Sequence, residues 1–281
     1  MRLLSDREQP LILELLGSCF PDYWEQLALK NGRMPFYEIS FAEFDGTKLI
    51  GHCGIIPYDI YCRGKVFPMG GIASVVVDPA YRNRGIARDL CNFAADWAKT
   101  NGFISLPLYT AHFRVYESCH WQKLPVPSTR QFAQLPAPQI PARSKESLTE
   151  KEKMSIIALY DSAAKFDGKV IRQTSSTLHS WERIFAEPEF SFSLIPGGYA
   201  IIASGVVIEA NFAPEIKYED AVSLIGNRPF YLPTVPEVLA GTEFTASTVD
   251  PMHGERPMFR DLDANDFHLR NRIFFPVTDK F

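Results

Sequence analysis

Three arginines, Arg82, Arg84 and Arg88, stand around Gly85 where an apolar β-branched run gives way to a helix-like pattern, in VVVDPAYRNRGIARDL, residues 75–90. A strand that hands over to a helix leaves unpaired backbone N–H groups at the helix start. The helix dipole adds partial positive charge there. A glycine lets the backbone approach a ligand closely, and arginines offer charge-assisted bonds to phosphate oxygens. Together these features make a seat for a diphosphate. A solvated charged turn ahead of an amphipathic helix fits the composition of this stretch equally well.

The whole chain favours a small anion over a polyanion. Its 281 residues carry a net charge of −4, with 46% hydrophobic and 22% charged residues. That is the balance of a globular protein with a full core, and it lacks the basic face that a nucleic-acid partner needs. No stretch approaches the roughly 18 apolar residues of a membrane span. The start, MRLLSDREQP, turns polar too soon for a signal peptide. Cys19, Cys53, Cys62, Cys91 and Cys119 show no CxxC spacing, and the histidines do not fall at ligand spacing beside them. Reduced thiols, a cytoplasmic setting and no metal site are expected.

The loop needs elements to position it. Residues 6–32 read as two short helices, with Asp6 as N-cap, Pro21 as the break and Gly32 as the stop. From Phe36 to Pro79 the chain is dense in β-formers and punctuated by Asp45-Gly46 and Arg63-Gly64, which predicts an antiparallel meander with hairpin turns. Ile86, Leu90, Phe93, Ala94 and Trp97 recur at helical spacing, and Asn101-Gly102 closes that helix. Residues 103–111 read as a strand and 112–119 as a short helix.

Beyond Leu124 the texture changes. Pro125, Pro127, Pro136, Pro138 and Pro141 precede a charged run, RSKESLTEKEK, and predict a linker over 131–150 between a first domain, 1–130, and a second, 151–281. The second half restarts with a helix and then places strand-like FSFSLI and YAIIASGVVIEANFA around Pro196-Gly197-Gly198. A helix around 215–225, a strand near 229–233 and a strand at 256–262 follow. The order echoes the first half without a basic glycine loop.

Arg82-x-x-Gly85-x-Ala87, after a Val-rich strand and before an amphipathic helix, resembles the Arg/Gln-x-x-Gly-x-Gly/Ala signature of the GNAT family of acetyl-CoA-dependent N-acetyltransferases. The later strand and Tyr-bearing short helix follow in the family's order. Neither a G-x-x-x-x-G-K-[ST] loop nor a G-x-G-x-x-G fingerprint competes with this reading. GGIASVVVDPAYRNRGIARDL, VYESCHWQKL, the opening of the second half and the Phe-ending RIFFPVTDKF are similar to the Eis group of that family. This chain is shorter than Eis proper, with no room for the group's full sterol-carrier-like domain.

The resemblance implies an α/β fold of two tandem GNAT-like domains. Each is a mostly antiparallel sheet flanked by helices, and the second is degenerate. It implies that the backbones of Val75 and Val77 hold the pantetheine arm of acetyl-CoA. The amides of Arg82, Asn83, Arg84, Gly85, Ile86 and Ala87 would hold its pyrophosphate, with the Arg82 and Arg88 side chains alongside. Tyr116 occupies the place of the family's tyrosine acid. Tyr109 is its neighbour, but it sits within a strand and reads as packed. The family's Gly-aromatic pair after the tyrosine is His120-Trp121 here. For the base, Glu43, Asp45, Glu117 and His112 are open by type, and the Eis likeness offers the α-carboxylate of Phe281. The implied activity is acetyl transfer to a primary amine of a small molecule or peptide, in a monomer or homo-oligomer. A CoA-binding regulatory module without transfer is the second reading.

Overall fold

A computed structural model describes residues 1–19, 39–124, 129–134, 139–163, 165–172, 181–232, 235–250 and 254–262. Strand Arg2–Leu3 (β1) leads through a short 3₁₀ turn into helix Gln9–Cys19 (α1). At that turn the Ser5 N–H and hydroxyl both donate to the Glu8 carboxylate, at 3.0 and 2.7 Å; the side chain of Asp6, the expected N-cap, lies outside what the structure describes. The second helix expected before Gly32, with Pro21 ahead of it, lies outside the described residues.

The expected meander is present as Ile39–Asp45 (β2), Lys48–Cys62 (β3) and Lys65–Val77 (β4), paired antiparallel throughout. Arg63 and Gly64 both take positive φ, 49° and 72°, as a tight hairpin turn requires. Helix Ile86–Thr100 (α2), strand Ser105–Thr110 (β5), helix Phe113–Glu117 (α3) and strand Gln122–Lys123 (β6) complete the first half. Helix α2 buries Leu90, Cys91, Ala94, Ala95 and Ala98 against the sheet. These small side chains let it lie close to the strands. Phe93, expected inside, stands at the rim, its ring edge-on to Phe41 at 5.7 Å.

The second half contains Arg130–Phe132 (β7), Arg143–Ser144 (β8), helix Glu150–Ser162 (α4), Val170–Ile171 (β9) and helix Trp181–Ala186 (α5). Then come Phe190–Ile195 (β10), Gly198–Ala203 (β11), Val206–Phe212 (β12), helix Tyr218–Ile225 (α6), Phe244–Ala246 (β13) and Arg256–Asp261 (β14). Its main sheet runs β12-β11-β10-β8. A buried bidentate pair ties it together: the Arg172 guanidinium donates to both Glu209 oxygens at 2.9 and 2.5 Å, and the Tyr199 hydroxyl donates to the same carboxylate at 2.6 Å.

The strands do not respect a linear division of the chain. Residues 131–150 are no free linker, because β7 pairs with β13, β8 pairs with β10, and the Ile140 N–H bonds Ser223 O at 2.8 Å. The strand expected near 229–233 reduces to Phe230, which bridges Arg130 and Val207. Strand β9 returns to pair with β3. Strand β14 goes further: it lies between β5 and β6 and is antiparallel to both. The chain therefore leaves the first unit after Leu124 and comes back near its end to complete that unit's second sheet.

Candidate active site

The site begins with a disagreement between neighbouring strands. β4 and β5 run side by side in the same direction, and the Ile104 N–H bonds Pro68 O at 3.1 Å where they start. Beyond that point they belong to different sheets. The Asp78 N–H bonds Ile50 O on β3 at 2.9 Å. Amide direction alternates along a strand, so the N–H groups of Val77 and Val75 face the other edge, toward β5. A wedge opens there, lined on one side by two backbone donors.

At the mouth of the wedge Asp78 caps a 3₁₀ turn, accepting from the Ala80 N–H at 2.8 Å, and Pro79 supplies a fixed φ. The chain then turns through Asn83 (φ 61°) and Gly85 (φ 81°). Glycine suits the second position because side-chain-bearing residues are strained at that φ. The amides of residues 83–88 meet no acceptor among the described residues. This is a concave set of N–H groups at a helix start, the geometry that binds anions. Gly51 on β3 lets the helix start sit low: a Cβ there would lie 2.9 Å from both Ile86 Cγ2 and Leu90 Cδ1.

The arginine side chains are committed to the protein. Arg82 Nε donates to Val77 O at 3.2 Å, and its Nη2 lies 3.6 Å from Cys19 Sγ on α1. Arg84 donates to Ala80 O at 3.1 Å and lies over the Tyr81 ring at 4.9 Å. Arg88 pairs with Asp89 at 2.8 Å. All three are solvent-exposed. Arg82 thus clips the loop to the strand end and to α1, and contributes charge from there.

Tyr116 sits on α3, just past the end of β5, its ring edge-on to Trp121 at 6.3 Å. The Trp121 Nε1–H donates to Leu106 O at 2.8 Å, which fixes the wall against which Tyr116 rests. The Tyr116 hydroxyl makes no hydrogen bond among the described residues. Burial pushes this phenol well above its usual pKa, and the nearby Cys91, Cys53, Cys119 and Glu255 add to the effect. Cys119 Sγ lies 3.7 Å from Arg88 O, which joins the end of α3 to the first turn of α2. Tyr116 and the amide nest are held on one frame. His120, in the place of the family's glycine, takes the left-handed φ of 70° and turns its side chain to solvent. The wall is left to Trp121.

Tyr109 is half-buried between two apolar clusters, as a packed residue is. Among the candidate bases, Asp45 accepts from the Tyr81 hydroxyl at 2.6 Å, Glu117 pairs with Lys123 at 3.0 Å, and Glu43 lies 2.7 Å from the Met1 amino group. His112 is exposed at the start of α3, its backbone N–H bonded to Thr110 Oγ1 at 2.8 Å. Phe281 lies outside the described residues. The sequence reading missed two residues. Glu255, just ahead of β14, comes near Tyr116 only through a long-range pairing that no local pattern announces. His52 is wholly buried in β3. A lone histidine inside an apolar strand signals that its partners should be sought. The five cysteines are unbridged, no described group of residues is arranged to hold a metal, and no described helix is long and apolar enough to cross a membrane.

Residues 1–124 match the family described as Acetyltransferase (GNAT) domain. No curated protein matches the chain significantly. A solved GCN5-related N-acetyltransferase from Anabaena variabilis superposes with a TM-score of 0.65 at 16% identity, covering 93% of this chain and 73% of that one. One from Kribbella flavida gives 0.62 at 18%, covering 94% and 71%. Eis1 from Mycobacterium abscessus gives 0.57 at 14%, covering 94% and 74%. The likeness of fold therefore extends through both halves. The strand, the loop and the helix behind it all lie inside residues 1–124, the segment that matches the GNAT acetyltransferase domain.

Proposed function

We propose that the protein transfers the acetyl group of acetyl-CoA to a primary amine of a small molecule or peptide. The observation that carries this reading is the wedge between β4 and β5. It has an amide nest at its mouth and a protonated tyrosine beside it. The amides of residues 83–88 take the diphosphate, and those of Val75 and Val77 take the pantetheine arm. The amine lone pair attacks the thioester carbon and the C–S bond breaks. Tyr116 gives its proton to the departing thiolate, whose thiol has a pKa of about 8.5. The phenolate so formed is reprotonated from solvent. The ammonium proton of the product leaves to a base not assigned to any described residue. Tandem domains of the Eis kind suit the second half, and its corresponding feature supports binding in the first half alone. There the helix α6 opens with Glu219 and Asp220, carboxylates that would repel a phosphate.

Release of free thiol from acetyl-CoA in the presence of aminoglycosides, polyamines, amino acids and lysine peptides tests the proposal. Turnover with one class names the acceptor. Tight CoA binding with no turnover on any amine favours a regulatory module instead. The Arg82→Glu variant is expected to bind acetyl-CoA about 10-fold or more weakly, because a bond to a charged group contributes roughly 1.5–3 kcal/mol. It also unclips the loop from Val77. Unchanged affinity by calorimetry would refute the placement of the diphosphate.

A further inference from the structure

β4 carries an extra residue. Ala73 pairs with Gly54 and Val76 with His52, so Ser74 and Val75 together oppose Cys53 alone. Such a bulge shifts the alternation of a strand by one. Ile72 and Val75 accordingly pack on the α2 side, and Ala73 and Val76 on the α1 side. The same shift decides amide direction. Without it, Ser74 rather than Val75 would face the wedge. Ser74 stands at φ 48°, a conformation that costs a residue bearing a Cβ and needs an external hold.

The hold is His52. Its Nδ1 lies 2.9 Å from Ser74 O, and its Nε2 lies 3.2 Å from Ser40 Oγ. A carbonyl only accepts, so Nδ1 carries the hydrogen and Nε2 receives the Ser40 hydroxyl hydrogen. Burial lowers the pKa of this imidazole to about 4, against the opposing pull of the Ser74 carbonyl. The ring is neutral at ordinary pH and keeps this tautomer.

We infer that His52 is a positioning residue for the thioester arm, holding the Ser74 carbonyl so that the bulge turns the Val75 and Val77 amides into the wedge. This rests on the acetyl-CoA reading above. It assigns to a buried side chain, one that touches no substrate, control over how the pantetheine is gripped.

The test separates the two ends of the cofactor. 3′-Phosphoadenosine 5′-diphosphate carries the diphosphate and no pantetheine, so it probes the loop alone. His52→Asn keeps an N–H near the place of Nδ1. His52→Gln moves its donor toward Ser40 and withdraws it from Ser74. In His52→Gln the affinity for acetyl-CoA should fall about 10-fold or more, with a matching rise in its KM, while the affinity for the nucleotide stays at the wild-type value. His52→Asn should restore acetyl-CoA binding. The amide resonances of residues 74–77 should shift in His52→Gln, and shift less in His52→Asn, without any ligand. If His52→Gln grips acetyl-CoA as tightly as wild type, or if it loses both ligands equally, His52 does not position the arm. A wild-type protein that binds acetyl-CoA but not the nucleotide would refute the loop reading and leave the His52 comparison intact. One that binds neither overturns both.

Discussion

Replacing Tyr116 by Phe should lower kcat by about 10²–10⁴-fold while leaving the affinity for acetyl-CoA near its wild-type value. The expected split follows from what each group touches. On the proposed reading, binding rests on backbone amides at residues 75, 77 and 83–88, which the substitution does not disturb. Proton delivery rests on a hydroxyl that has no hydrogen bond among the described residues, so the protein loses no internal contact when it is removed. The ring and its edge-on contact with Trp121 remain. Thermal stability should therefore hold. The pH profile adds a second check. Burial raises this phenol well above its usual pKa of about 10. A group that must be protonated to work, with its pKa moved upward, stays active as pH rises. Wild-type kcat should then show no alkaline fall attributable to Tyr116 below about pH 10. A wild-type rate in the Phe variant would make the tyrosine a packing residue.

Much of this site was legible because its signals are local. The Val-rich run, the Asp78-Pro79 turn, the positive-φ glycine and the amphipathic helix lie within residues 75–100, and each is set by its neighbours in sequence. Tyr116 was singled out by the family resemblance, which places a tyrosine acid on the short helix after β5. The arginines were legible as charges but not in their aim. Nothing in the sequence says that Arg82 turns back to Val77 O and Cys19, because Cys19 is brought there by the packing of α1. The bulge at Ser74 was hidden for a related reason. In VVVDP and the residues before it, apolar side chains suit both faces of a sheet buried on both sides, so an inserted residue leaves no break in pattern. His52 was the trace of it, a polar ring whose partners lie on β2 and β4. Prolines and charges over 131–150 mark irregular backbone but do not exclude short strands at its ends. Here β7 and β8 are recruited by β13 and β10.

The longest-range element carries the other large effect. Met258→Ala in β14 should destabilise the protein by about 2–5 kcal/mol, the range for emptying a buried apolar site. That is a large share of the roughly 5–15 kcal/mol available to a typical domain. Met258 is fully buried in the cluster that contains Leu90, Leu106, Leu108 and Trp121, which is the floor beneath α2 and Tyr116. Its strand is tied in on every side. It pairs with β5 and β6, the Leu124 N–H bonds Pro257 O at 3.0 Å, and the Leu262 N–H bonds Ile104 O at 3.0 Å. Arg260 donates to Asn92 Oδ1 on α2 at 2.8 Å and to Cys119 O at 2.9 Å, and lies 5.0 Å over the Trp121 ring. A strand contributed by the second half thus clamps the helix that carries the loop to the helix that carries the tyrosine. Two consequences can be measured. Met258→Ala should lose acetyl-CoA turnover as temperature rises, in step with its lowered Tm, and added acetyl-CoA should recover part of the loss by binding the folded form. A fragment ending at residue 130 keeps every residue of the matched family domain but leaves β5 without its partner and the apolar floor open. It should not bind acetyl-CoA. If that fragment folds and binds with the affinity of the whole chain, β14 is an accessory to the acetyltransferase unit, and the two halves are separable modules after all.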